Sequence, residues 1–279
     1  MSNTPRPTRN EQREAARAKA REMRLAQKRN ASRKRTILIS SIVAVVAIIV
    51  TSVVLTISNE VNNPVPTAAT PANMNFDGGI KIGTDLKAFT ATEKPTTADV
   101  PNIEIFLDYQ CPFCQAFELP NASLIESKVA AGEWTIEYHP LSFLDGAGSP
   151  NAYSSRAANA AVCVAEYSPN KFMTFNNLLF ANQPAEQTAG PENDGLIAFA
   201  QQVGADNFDK IQTCINEKSY GDWVSETTSS VLNAAWKDTG LTIDSTPYII
   251  VNGQRYTGTA EEMASPARFE QWVTAAWNG

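Results

Sequence analysis

The spacing of apolar residues divides the chain into unlike parts. Ile37 to Ile57 is an unbroken apolar run of 21 residues, rich in Val and Ile, with no charge until Glu60. As a helix it would be about 30 Å long, matching the hydrocarbon thickness of a bilayer. Periodicity then vanishes across 59–75, a Pro-, Thr-, Ala- and Asn-containing stretch that reads as a tether. It returns as a short strand at Gly79–Ile82 and a β-branched, aromatic one at Ile103-Glu104-Ile105-Phe106-Leu107. That strand runs into Asp108-Tyr109-Gln110-Cys111-Pro112-Phe113-Cys114 and a helix-like stretch to about Ala131, where Pro120 should introduce a kink. A further strand is predicted over Trp134–Phe143.

The next hundred residues follow helical spacing. Ser149-Pro150 and Ser168-Pro169 each place a capping residue before a proline at the first helical position. Helices fit Asn193–Val203, Asn207–Lys218 and Asp222–Lys237, the last closed by Asp238-Thr239-Gly240. Strands return at Pro247–Val251 and Gln254–Thr257, joined by Asn252-Gly253, a dipeptide suited to a hairpin turn with positive φ at both positions. Ser265-Pro266 opens a final amphipathic helix carrying Phe269, Trp272 and Trp277. A βαβ half and a ββα half separated by helices make an α/β chain: a thioredoxin fold with an inserted helical subdomain, preceded by one N-terminal transmembrane helix. The expected domains are a basic cytoplasmic head (1–35), a transmembrane signal anchor (36–58), a linker (59–75) and a thioredoxin-fold domain (76–279). Within that domain the insertion occupies about 146–240.

Charge sharpens the topology. Residues 1–35 hold twelve Lys and Arg against three Glu, a net of +9, whereas the whole chain is −6, leaving −15 for residues 36–279. Basic residues crowd only the N-terminal flank of the apolar run, so the positive-inside rule keeps that end in the cytoplasm and exports the rest. A cleaved signal peptide is the alternative, with Thr67-Ala68-Ala69 as a cleavage site, but the basic region and apolar run are both long for one. The expectation is a single-pass protein of the cell membrane, held in the lipid bilayer by its anchor, with an extracytoplasmic domain. An acidic body of this size repels phosphate and excludes nucleic acid as its partner.

Four cysteines in an exported chain point to oxidised or redox-active thiols. Cys111 and Cys114 are too close in sequence to cross-link distant segments, so their value is reactivity. At a strand-to-helix junction, Cys111 meets the free N–H groups and positive dipole end of the helix, which stabilise a thiolate. Cys114, one turn deeper, can resolve a mixed disulfide, and Pro112 suits the first helical turn. A zinc knuckle would need a second pair of ligands, yet the remaining cysteines stand apart and His139 is the sole histidine, so no metal is expected. Cys163 and Cys214 fall in two helices of the insertion. They read as a structural disulfide, with a second redox pair as the sharper alternative. His139 and the five tryptophans (134, 223, 236, 272, 277) read as packing residues.

Phe106–Cys114 (FLDYQCPFC), the helical insertion and Ser245–Gly253 (STPYIIVNG) resemble the DsbA-like branch of the thioredoxin superfamily, in particular its membrane-tethered actinobacterial forms. The resemblance implies a cis Pro247 facing the cysteines and a Thr246 backbone that binds substrate peptide as a strand, with Pro112 and Phe113 alongside. It implies a thiol–disulfide oxidase of newly exported, unfolded proteins, reoxidised by a membrane quinone-linked partner, needing no cofactor and working as a monomer. A disulfide isomerase or reductase and a non-catalytic peptide-binding or chaperone module are the other readings. Two positions depart from the family: Phe113 stands where many members have His, and Ile105 where thioredoxins keep a buried acid. Glu104 should point away from the cysteines because strand side chains alternate. Asp108 could serve the deeper thiol through water, or cap the strand end.

Overall fold

Strand β2 (Asn102–Leu107) is buried on both faces, which explains its nearly continuous apolar sequence. It sits at the centre of a five-stranded sheet of order β1-β3-β2-β6-β7, with β1 Ile80–Ile82, β3 Thr135–Pro140, β6 Tyr248–Val251 and β7 Gln254–Arg255. β2 and β3 run parallel, Ile105 opposite Tyr138, and helix α1 (Pro112–Ala130) makes the crossover between them. The other pairings are antiparallel, including β6 against β2 and the β6–β7 hairpin. At the hairpin turn Asn252 and Gly253 take φ of 50° and 79°, the left-handed pair that this turn demands. These features belong to a computed structural model describing residues 69–72, 79–89 and 99–278. The expected head, anchor and most of the linker lie outside the described residues, among which no helix is long and apolar enough to cross a membrane.

One face of the sheet, with Ile103, Ile105, Leu107, Ile136 and Tyr138, meets the main core, to which α1 contributes Cys114, Phe117, Ile125 and Val129. These α1 positions recur at helical spacing, and the helix continues through Pro120 for ten more residues. The opposite face carries a smaller cluster of Phe106, Tyr248, Ile250, Trp236 and Ile243. The insertion is built around α2 (Tyr153–Tyr167), whose Ala157, Ala158, Ala160, Ala161 and Ala165 are fully buried. Buried along most of its length, this is a central helix, and its small side chains let α3 (Phe172–Ala181), α4 (Asn193–Gln202), α5 (Phe208–Glu217) and α6 (Gly221–Asn233) pack against it. Cys163 on α2 and Cys214 on α5 form a disulfide, Cα atoms 5.9 Å apart.

Several boundaries depart from expectation. Ser149-Pro150 does not start a helix. α2 begins at Tyr153, whose N–H donates to Ser149 Oγ, and the Asp145 carboxylate accepts the next two free N–H groups, those of Ser154 and Ser155. Ser168-Pro169 opens a 3₁₀ turn (Pro169–Lys171) rather than the helix itself; Ser168 Oγ instead accepts from Asp206 N. α6 stops at Asn233, and the chain turns into a two-stranded ribbon, β4 (Ala235–Trp236) with β5 (Leu241–Thr242). Tertiary packing overrides helical spacing there, because Trp236 is drawn onto the back of the sheet, where its indole donates to Glu104. The predicted strand to Phe143 ends at Pro140, and a 3₁₀ turn (Phe143–Ala147) follows. Two further helices, α7 (Ala260–Met263) and α8 (Pro266–Asn278), close the chain against α1.

Candidate active site

Cys111 is the N-cap residue of α1 and Pro112 its first helical residue, so the Cys111 side chain sits where the helix has unpaired N–H groups. Both cysteines are free thiols, Cys111 5% exposed and Cys114 wholly buried behind it. The neighbouring Cys114 thiol first, then Thr246 and the Cys114 and Phe113 backbone N–H groups, lower Cys111 to about 7 from an ordinary 9 despite burial. Burial first, and then the neighbouring Cys111, push Cys114 well up. The pair is thus asymmetric: an outer thiol half ionised near neutrality and an inner one that stays protonated.

The Cys111 thiol donates to the Thr246 carbonyl at 3.1 Å, and the Thr246–Pro247 bond is cis. Thr246, Pro247 and Phe113 line a common groove; Phe113 is 54% exposed, the most open large apolar side chain among the described residues. Pro112 is exposed at the helix start and is not among the residues lining this groove. Cys163 and Cys214 lie in the insertion and line no part of it.

Asp108 ends β2 as a buried cap: its carboxylate accepts from Gln110 N, Leu144 N and Ser154 Oγ, and its own N–H points to Cys114 Sγ at 3.5 Å. Burial outweighs those donors and raises its pKa to about 6. Glu104 lies on the opposite sheet face, bonded to Trp236 and to Lys237 at 2.8 Å. There Glu104, Glu137 and His139 bring ligand-type atoms within 4.8 Å of one another, the described group best able to gather round a cation. Two ammonium groups already hold its carboxylates, Lys237 on Glu104 and Lys81 on Glu137 at 3.4 Å, while His139 stacks on Phe106.

Two features went unread in the sequence. Glu118, fully buried one turn after Cys114, has its carboxyl lifted to about 8 by burial, with Asn176 as its partner and Tyr109 hydroxyl bonded to the same Asn176. Its spacing four residues past Cys114 placed it on the buried helix face, so that signal was present. A set of glutamines also ties the insertion to the site. Gln183 Nε2 donates to the Tyr109 and Cys111 carbonyls, Gln110 Nε2 to those of Ala185 and Thr188, and Gln115 Nε2 to that of Phe180. No sequence pattern announces such side-chain-to-backbone ties across 65–78 residues.

A family model described as Thioredoxin matches residues 96–275. The oxidised DsbA of Mycobacterium tuberculosis superposes with a TM-score of 0.57 at 27% identity, covering 72% of this chain and 93% of that one. The reduced disulfide oxidoreductase DsbG of the same organism gives 0.56 at 25% identity, covering 72% and 88%. MdbA, a thiol-disulfide oxidoreductase of Corynebacterium diphtheriae, shares the fold at 19% identity, with a TM-score of 0.53 over 71% of this chain and 93% of that one. The serine/threonine-protein kinase PknE of Mycobacterium tuberculosis is 33% identical over 159 residues, 56% of this chain. The match spans about a quarter (26%) of that relative's length.

Proposed function

Since the chain belongs to the thioredoxin family, we propose that it is a thiol–disulfide oxidoreductase that introduces disulfides into exported proteins through Cys111 and Cys114. The observation that carries this reading is the asymmetric thiol pair at a helix N-terminus, the outer sulfur 3.1 Å from the Thr246 carbonyl. In the oxidised enzyme a substrate thiolate attacks Cys111 Sγ, the Cys111–Cys114 bond breaks, and Cys114 leaves as a thiolate that takes up a proton. A second substrate thiolate then attacks the substrate sulfur of the mixed disulfide. Cys111 leaves, favoured by its lowered pKa. The substrate has lost two electrons and the enzyme holds two thiols. Pro247 and Thr246 form the wall against which the substrate strand lies, with Phe113 beside it. The Cys163–Cys214 disulfide holds the insertion together.

The resemblance supplies the setting: a single-pass membrane anchor, an extracytoplasmic catalytic domain working as a monomer, and a quinone-linked membrane partner that returns the dithiol to disulfide. A second reading, reductase or isomerase, draws on one specific feature. Cys111 at about 7 is no more acidic than the corresponding thiol of thioredoxin, also about 7. The direct test mixes oxidised full-length protein with a reduced, unfolded two-cysteine protein and titrates the remaining thiols. One disulfide should appear per enzyme. Cys111→Ala should abolish the transfer, and a Cys111→Ala protein that oxidises substrate as fast as wild type would sink the proposal.

A further inference from the structure

The groove beside Thr246 and Pro247, about 340 Å³, is polar and rich in hydroxyl groups, and Arg255 is the sole charged side chain among its described lining residues. Arg255 is on β7, the edge strand next to β6, so its side chain leaves the sheet beside the chain segment that leads into Pro247. Its guanidinium lies over the Tyr248 ring at 4.3 Å, a stacking contact that fixes the plane of the group without using its N–H donors. Its polar contacts among the described residues run through one nitrogen: Nη2 donates to Ser245 Oγ at 3.3 Å and approaches the Asp244 carboxylate at 3.5 Å. That leaves Nη1 and Nε without an acceptor among the described residues. Asp244, itself exposed, shows that the position takes a carboxylate.

We propose that Arg255 makes this groove a subsite for acidic side chains, so that thiols flanked on one side by Asp or Glu are the preferred substrates of Cys111. The proposal rests on the exchange activity above and adds its substrate class. An oriented fork of N–H donors recognises a carboxylate in two-point fashion, which an ammonium or a bare hydroxyl groove does not. The rest of the body is acidic, with −15 over residues 36–279, so the selection acts at contact and not by long-range attraction.

The test uses dithiol peptides of identical composition and net charge, with one Glu placed either beside a cysteine or at the far end. Their oxidation by the oxidised full-length protein is followed by acid quench and mass spectrometry. With Glu on the favoured flank the rate should be roughly three to ten times that of its isomer, the range expected of a charge-assisted pair at a half-exposed site. The advantage should shrink at about 0.5 M salt. Arg255→Gln should bring the ratio to about one, and Arg255→Lys, which keeps the charge but loses the fork, should retain part of it. Equal rates for every isomer in the wild type, or a ratio that survives in Arg255→Gln, would overturn the subsite. If neither peptide is oxidised at all, the exchange reading itself fails, and the subsite with it.

Discussion

Replacing Glu118 by Gln removes a buried carboxyl whose proton is held far more tightly in the folded chain than in the unfolded one. Its pKa is about 8 in place against 4.5 for a free side chain, because burial penalises the charge and the Asn176 amide offsets only part of that. Between those values the folded state keeps a proton that the unfolded state has lost. Wild-type stability therefore falls as pH rises, by about 1.4 kcal/mol per pH unit at full slope. From pH 5 to 7.5 the loss owed to Glu118 comes to about 3 kcal/mol. The amide that Glu118→Gln introduces does not titrate, so subtracting the two stability curves isolates this contribution from Asp108 and every other group. A constant penalty of about 1–3 kcal/mol is added to the variant, because the new amide nitrogen replaces Oε1, which has no partner among the described residues. The variant should thus be the weaker at pH 5 and overtake wild type towards pH 8. The assay is chemical denaturation of the compact unit Ala68–Gly279 followed by tryptophan fluorescence, at half-unit pH steps. A difference curve that stays flat within about 0.5 kcal/mol across that range would refute the reasoning, since one proton has to account for the slope.

Removing the α2–α5 clip by Cys163→Ala with Cys214→Ala should lower stability by about 4 kcal/mol, the chain entropy of a loop of 51 residues, measured by urea unfolding. A loss under about 1 kcal/mol would mean that the unfolded insertion is already confined without the bridge. Alkylation of Cys111 by iodoacetamide, mapped by mass spectrometry, should rise with pH and reach half its plateau near pH 7, with Cys114 unreactive throughout. A midpoint near the ordinary thiol value of 9 would show that the helix terminus and Cys114 do not stabilise the thiolate.

Much of the scaffold was legible because it rests on local rules. β2 announces itself by apolar density, α1 by the Pro after the first cysteine, and the hairpin by Asn252-Gly253 with its two positive φ angles. The site follows from the same segments, as Cys111 and Thr246 lie at the ends of elements that the sheet order makes neighbours. What escaped depends on contacts distant in sequence. Trp236 leaves helical geometry because a sheet face 132 residues away offers Glu104 and Phe106 as partners. The start of α2 is set by Asp145, not by Ser149, since a carboxylate that can reach two free N–H groups outcompetes a hydroxyl that reaches one, Tyr153 N. The glutamine ties between the insertion and the cysteine loop carry no periodicity at all.

The central claim is that Cys111–Cys114 accepts electrons from substrate thiols, and the reduction potential of that pair tests it most directly. Full-length protein is equilibrated with glutathione buffers of graded ratio and the thiols are trapped and counted. The oxidase account predicts a potential well above thioredoxin's, which is about −270 mV. A value at or below that of thioredoxin would contradict it and assign the site to a reductase.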